Sequence, residues 1–172
     1  MPLHLITNNK EAAMKYLITY YSYSGNTDRV AKAMAKALEK KGSVDIQRLV
    51  PKDEVKDFAG QCKAAFTKKR AVLEDGINFD ASSYDMLLIG SPVWALAPTP
   101  AVNTYLDKLS GLNGKKAVIL LTSGSGLGVK RCFKNIRTTL ENKGAVSVEE
   151  INISDRRVDD EGFVVSSIEK FA

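Results

Sequence analysis

Five short apolar runs alternate with stretches of helical spacing along the whole chain, and this alternation limits the fold more than any other feature of the sequence. The first run, 15–21 (Lys-Tyr-Leu-Ile-Thr-Tyr-Tyr), is rich in aromatic and β-branched residues and reads as a buried strand. After a polar turn at 22–27, Val30, Met34, Ala37 and Leu38 fall on one helical face, and Gly42 stands where that helix is expected to end. A second strand is expected at 44–50, stopped by Pro51. Val55, Phe58, Ala59, Cys62, Ala65 and Phe66 have the spacing of a second helix, and 70–80 shows no period of either kind.

The run Met86-Leu87-Leu88-Ile89 within 84–90 reads as a strand covered on both faces. A proline-flanked loop, 92–98, follows it. Thr99 is placed to cap a third helix with Pro100 at its first position, and Val102, Leu106 and Leu109 point inward before Gly111. The fourth strand spans 116–121, and its loop, 122–128, is made of glycine and hydroxyl residues. Val129, Phe133, Ile136 and Leu140 line a fourth helix that Gly144 ends. The fifth strand is expected at 146–153 and the last helix at 159–170, with Val164, Val165, Ile168 and Phe171 on its apolar side.

Apolar strands separated by amphipathic helices imply a parallel sheet covered on both sides. Crossovers between parallel strands are almost always right-handed, which leaves few ways to wind five of them. The expected class is α/β: a three-layer, doubly wound, five-stranded parallel sheet in the order 2-1-3-4-5. Ligands of such sheets bind beyond the carboxyl ends of the strands, where the winding reverses. The loops after strands one, three and four are therefore the candidate site. The chain has 172 residues, and a domain of this size buries roughly 70% of the surface its unfolded chain exposes. One domain is expected at 15–172, preceded by an N-terminal extension at 1–14. Met14 immediately precedes the first strand and is a candidate for the true start.

Composition excludes several functions. The net charge is +5, but the basic residues occur as scattered pairs such as Lys40-Lys41 and Arg156-Arg157, without the clustering a nucleic-acid surface requires. This excess favours an acidic partner or an anionic ligand by long-range steering. The only histidine is His4, so a histidine triad and most zinc sites are ruled out. Cys62 and Cys132 lie far apart, form no C-x-x-C, and fall on the apolar phases of helices, where buried free thiols are expected. No signal peptide and no membrane-spanning stretch is found, which points to a cytoplasmic protein without membrane contact.

The first loop is Ser22-Tyr23-Ser24-Gly25-Asn26-Thr27. Glycine permits a tight turn close to an anion, and the helix start contributes free N–H groups and the positive end of a dipole. The hydroxyls add donors aimed at the same point. Each hydrogen bond to a charged phosphate is worth roughly 1.5–3 kcal/mol, so several together hold a dianion without lysine or arginine. The same residues also suit a polar turn with a serine or threonine cap. Tyr23 is equally compatible with a place over a phosphate and with a plain surface position. Asp28 reads as a helix-dipole residue.

The second loop carries Pro92, Val93, Trp94, Ala95 and Leu96, with the only tryptophan of the chain. A large aromatic in a rigid loop suits stacking on a planar ring, and it also suits packing on the third helix. The third loop, Thr122-Ser123-Gly124-Ser125-Gly126-Leu127-Gly128, is rich in glycine. It is not a dinucleotide fingerprint: counted from Gly124, the third glycine would fall at Val129, and the motif follows the fourth strand instead of the first. No P-loop pattern occurs.

Ser-x-Ser-Gly-Asn-Thr after a strand resembles the FMN-phosphate signature of flavodoxins, position by position at Ser22, Ser24, Gly25, Asn26 and Thr27. Gly90-Ser91-Pro92-Val93-Trp94, followed by Pro-Thr-Pro and a helix, resembles the flavin loop of the same family. The resemblance covers 15–172 and has no long insertion in the fifth strand, as in short-chain members. It implies FMN as cofactor, with its phosphate on the first loop and Trp94 near the flavin ring. It places the backbone of 93–96 near the N5 edge, and Thr122, Ser123, Gly124, Ser125 and Gly126 near the pyrimidine edge. The chain departs from the family in being basic, in having no tyrosine in the third loop, and in carrying Ala95 and Leu96 where glycine is common. Three functions follow as expectations: an electron carrier serving redox partner proteins, an NAD(P)H-dependent quinone or flavin reductase acting on a small quinone or nicotinamide substrate, and a binding module without flavin.

Overall fold

The computed structural model describes residues 13–52, 54, 57–67 and 69–172. His4 and Val55 lie outside the described residues. The elements run β1 (Met14–Tyr20), α1 (Asn26–Leu38), β2 (Gly42–Arg48), α2 (Phe58–Phe66), β3 (Met86–Pro92), α3 (Pro100–Lys108), β4 (Lys116–Ser123), α4 (Val129–Asn142), β5 (Ser147–Ser154), a short 3-10 turn (Asp155–Arg157) and α5 (Glu161–Glu169). The sheet order is β2-β1-β3-β4-β5, and every pairing is parallel. The doubly wound arrangement expected from the sequence is the one observed.

The two faces of the sheet carry separate cores. Tyr16, Ile18, Tyr20, Met86, Leu88, Val118 and Leu120 pack under α1 and α5 with Val30, Met34, Val164 and Ile168. Leu17, Leu87, Ile89, Ile119 and Leu121 face the other way, under α3 and α4, with Val102, Tyr105, Leu106, Phe133 and Ile136. Successive strand residues point to opposite faces, so the central strands must be apolar throughout. Met86 to Ser91 are all buried. The edge strand β2 has no fully buried residue: Val44 is half-buried against the α1 side, Gln47 is half-buried on the opposite face through its bonds to Thr19 and Asn78, and Ile46 is exposed.

Several boundaries differ from expectation for local reasons. Gly42 does not end α1; it is the first residue of β2, paired with Met14. A Cβ there would lie 1.9 Å from the Met14 carbonyl oxygen, so glycine is needed for strand contact. β3 and β4 run past their apolar runs to Pro92 and Ser123, because ladder pairing continues through Ser91↔Leu121 and Pro92↔Thr122. Val146 precedes β5 and is exposed, and α5 begins at Glu161, capped by the Asp160 side chain accepting from the Phe163 N–H. Thr99 is the N-cap residue of α3, but its hydroxyl makes no capping bond. Cys132 is fully buried, and burial pushes its thiol pKa up to about 12. Cys62 is only half-buried against the same core, contrary to the expectation of burial. Both thiols are free.

Candidate functional site

The first loop leaves β1 at Tyr21, whose N–H donates to the Gly90 carbonyl at 3.0 Å, and enters α1 through Gly25 at φ +91°. Only glycine adopts this left-handed conformation without strain. No side chain caps α1, so its first N–H groups face the cleft without a protein acceptor from a cap. The Ser22 hydroxyl is buried and has no hydrogen-bond partner among the described residues. The Ser22 carbonyl accepts from the Arg48 guanidinium at 2.8 Å, which fixes the turn from behind.

Side-chain and backbone bonds tie the three loops together. The Thr27 and Thr122 hydroxyls meet at 2.8 Å, joining the first loop to the end of β4. The Val93 N–H donates to the Thr122 carbonyl at 3.0 Å, joining the second loop to the same residue. Gly90 makes the close approach possible: a Cβ there would stand 2.8 Å from Tyr20 Cβ and 3.3 Å from Thr27 Cγ2.

Beyond Trp94 the second loop closes a two-residue hairpin turn. Trp94 and Ala97 exchange both backbone hydrogen bonds, at 3.1 and 2.9 Å. Ala95 and Leu96 take φ of +45° and +68°, a geometry that usually selects asparagine or glycine. Leu96 lies directly on Gly128, where a Cβ would come within 2.5 Å of Leu96 Cα. Trp94 is buried, and its ring meets Tyr21 and Tyr23 edge-on, with centroids 5.5 and 5.6 Å apart. It is part of the core that includes the inner face of α3, and it also lines the cleft.

The cleft these loops enclose measures about 490 Å³, within the range of sites that hold cofactors. Its walls are Tyr23, Ser24, Asn26 and Thr27 from the first loop, Pro92, Val93 and Trp94 from the second, and Thr122, Ser123, Gly124 and Ser125 from the third. Eleven of the sixteen residues selected from the sequence therefore converge on one space. Ser22, Gly25, Ala95, Leu96 and Gly126 do not line it; they shape the turns that do. The Ser123 hydroxyl donates to the Asn152 side chain at 3.1 Å and braces the third loop against β5.

Asp155 also lines the cleft, and sequence reasoning missed it. It follows β5, which the winding rule does not assign to the site. Its carboxylate stands beside Gly124, where a Cβ would lie 3.1 Å from Oδ2. The signal was present in the pairing of β4 with β5, which brings the ends of both strands to one rim.

Asp28, one turn into α1, accepts from the Tyr20 hydroxyl at 2.6 Å and pairs with Lys32 at 2.9 Å. Burial alone would raise its pKa, but the hydrogen bonds from Lys32 and Tyr20 outweigh that and hold it below the usual carboxylate range. Burial and the bond to Asp28 push the Tyr20 hydroxyl well above its ordinary value. Asp28 is thus committed to the helix start, as expected. Among the described residues, no cluster of histidine, cysteine and carboxylates suits a metal ion, and no helix is long and apolar enough to cross a membrane.

A five-stranded, doubly wound parallel sheet with three loops around one cleft at the carboxyl ends of β1, β3 and β4 defines the flavodoxin-like class of folds. The chain belongs to the flavodoxin family, whose sequence profile matches residues 15–157. Solved structures show the same fold. A Bacteroides uniformis protein assigned as a flavoprotein superposes with a TM-score of 0.71 at 23% identity, covering 92% of this chain and 99% of its own. A flavoprotein from Lactobacillus acidophilus, crystallised in complex with FMN, gives 0.65 at 23% identity, over 87% of this chain and 99% of its own. An NADH:FMN oxidoreductase in its apo form gives 0.62 at 16% identity, over 91% and 87%.

Proposed function

We propose that the protein binds one FMN in this cleft and transfers electrons through it. The observation that carries this reading is the first loop. It presents an uncapped helix start behind a left-handed glycine, together with Ser24, Asn26 and Thr27, on the wall of a cleft large enough for a cofactor. The residues fit the group: the uncapped N–H groups of α1, with Ser24, Asn26 and Thr27 on the cleft wall beside them, are polar groups suited to a phosphate.

In this reading Ser24, Asn26, Thr27 and the N–H groups of α1 hold the phosphate. Pro92, Val93 and Trp94 would hold the ring along the second loop, and Thr122, Ser123, Gly124 and Ser125 would border it along the third. Asp155 adds one negative charge to a cleft that is otherwise neutral, so it disfavours further negative charge on whatever is bound there. Bound FMN supplies reversible electron acceptance and donation, and the protein supplies position and electrostatics.

The test is direct. Protein purified with FMN is expected to be yellow, with a flavin absorption spectrum and stoichiometric binding. A colourless protein that leaves the fluorescence of added FMN unchanged would refute the assignment.

A second reading, an NAD(P)H-dependent quinone or flavin reductase, is favoured by one observation. Gly124, Ser125, Gly126 and Leu127 are exposed and supply no aromatic lid, which leaves the cleft open along the third loop. The two readings separate on anaerobic mixing of the FMN-loaded protein with NADPH. Rapid bleaching without a partner protein identifies a reductase; persistence of the oxidised spectrum identifies a carrier. A cytoplasmic location belongs to either reading.

A further inference from the structure

We propose that the first two turns of α4, together with Leu96 and Leu127, form a docking face for an acidic protein that exchanges electrons with the cleft. The exchange of electrons rests on the FMN reading above; the docking face does not.

Lys130 and Arg131 occupy the first turn of α4, and Lys134 follows one turn later on the same outward stripe. All three are exposed, and their side-chain cations make no ion pair among the described residues. Elsewhere the guanidinium groups are largely matched: Arg29 with Asp159, Arg70 with Asp107, Arg157 with Asp160, and Arg137 with both Glu141 and Glu150. Charge compensation on α4 therefore begins at Arg137 and leaves the end beside the cleft uncompensated.

Position makes this arrangement unfavourable for the helix itself. Cations at a helix start oppose the dipole, and α4 has no acidic residue in its first turn to offset them. Lysines such as Lys40 and Lys116 also make no ion pair among the described residues, but these three cations share one helix start beside two exposed leucines, and that combination points to an external partner.

Two apolar side chains sit at the head of the stripe. Leu127 is 73% exposed and Leu96 is 37% exposed, and Leu96 rests on Gly128, the N-cap residue of α4. They come from the second and third loops, the same loops that wall the cleft. The face is thus a small apolar contact bordered by unmatched positive charge at the cleft mouth. Its complement is a protein surface of carboxylates around an exposed redox centre. Asp155 lies inside the cleft beside Gly124, and Asp107, which shares a groove with Lys134, is paired with Arg70; among the described residues neither carboxylate makes an ion pair with the stripe.

The probe is an acidic plant-type [2Fe–2S] ferredoxin, with basic cytochrome c as its opposite-charge control. Binding to the whole protein, with FMN added, is measured by calorimetry at low and at physiological salt. Ferredoxin is expected to bind at low salt, to weaken steeply as salt rises, and to bind at least tenfold more weakly to the K130E/R131E/K134E variant. A variant of equal net charge at the far end of the sheet, K40E/K116E/K170E, is expected to bind like the parent. Leu127→Ser is expected to weaken binding by a similar factor at both salt concentrations, since its contribution is apolar. The face is refuted if ferredoxin does not bind, if both triple variants lose affinity equally, or if cytochrome c binds as well as ferredoxin does. FMN absorbance is read in the same samples: flavin bound without ferredoxin overturns only the docking face, and ferredoxin bound without flavin overturns only the electron exchange.

Discussion

Thr27 is the residue on which most of the site converges. It is the second residue of α1, lines the cleft, and bonds through its hydroxyl to Thr122. Replacing Ser24 by alanine removes one donor to a charged group, worth roughly 1.5–3 kcal/mol. FMN affinity is expected to fall at least tenfold, while riboflavin, which has no phosphate, binds as before; adding Thr27→Ala, which also breaks the bond to Thr122, is expected to weaken both ligands. Fluorescence titration with both ligands checks this, and an equal loss for both on Ser24→Ala alone would show that the loop does not read the phosphate. Trp94→Ala is expected to do more than weaken FMN binding. The indole is buried against Tyr21 and Tyr23, so truncation should also destabilise the FMN-free protein by about 3–5 kcal/mol, as seen in urea unfolding. Asp28 gives a pH prediction. Its carboxyl sits below the usual range when folded, so its stabilising contribution is present above about pH 4 and is lost as pH falls through the folded value. Asp28→Asn should flatten that part of the acid limb of a stability-against-pH curve.

At the scale of elements, the turn at 94–97 is the clearest conflict between local preference and observed geometry. Ala95 and Leu96 hold left-handed conformations that cost side-chain-bearing residues about 1–2 kcal/mol each. Ala95→Gly is expected to raise the stability of the FMN-free protein by up to about 1 kcal/mol, less the added flexibility of the unfolded chain. A lowered melting temperature would show that the turn is not strained. The sequence marked this loop as a site through its proline flanks and tryptophan, yet it concealed the hairpin, since neither residue at the tip is a turn former. The same limit applies to β5. Its apolar pattern located the strand, but only the ladder with β4 brings Asp155 to the rim. The apolar runs of β1, β3 and β4 and the amphipathic helices were legible because burial on both faces leaves no room for polar residues. Strand ends were less so: pairing to Ser123 and Pro92 depends on a neighbour and not on composition.

For the whole molecule, the two cores on opposite faces of one sheet make stability a joint property of both helix layers. Cys132 lies in the core under α4 with its thiol pKa raised to about 12 by burial, whereas Cys62 is half-buried. A disulfide-exchange reagent at neutral pH is therefore expected to modify Cys62 first and to reach Cys132 only through global opening. Saturating FMN should slow the second modification further, because a ligand that binds only the folded state adds RT ln(1 + [L]/Kd) to its stability. If Cys132 reacts at the same rate with and without FMN, the ligand is not coupled to global folding. Overall order was legible from periodicity alone, since right-handed crossover winding leaves few alternatives; which rim charges stay unmatched was not, because that depends on side chains meeting in space.

The bridge between Thr27 and Thr122 has one more consequence. It crosses from the helix under one layer to a strand whose next residues wall the far side of the cleft, so these hydroxyls act as a hinge pin between the two halves of the rim. A sequence that drifts in its second loop can change the electrical character of the cleft while this pin keeps the floor in place. Cofactor retention and redox character are thereby separable traits, open to selection one at a time.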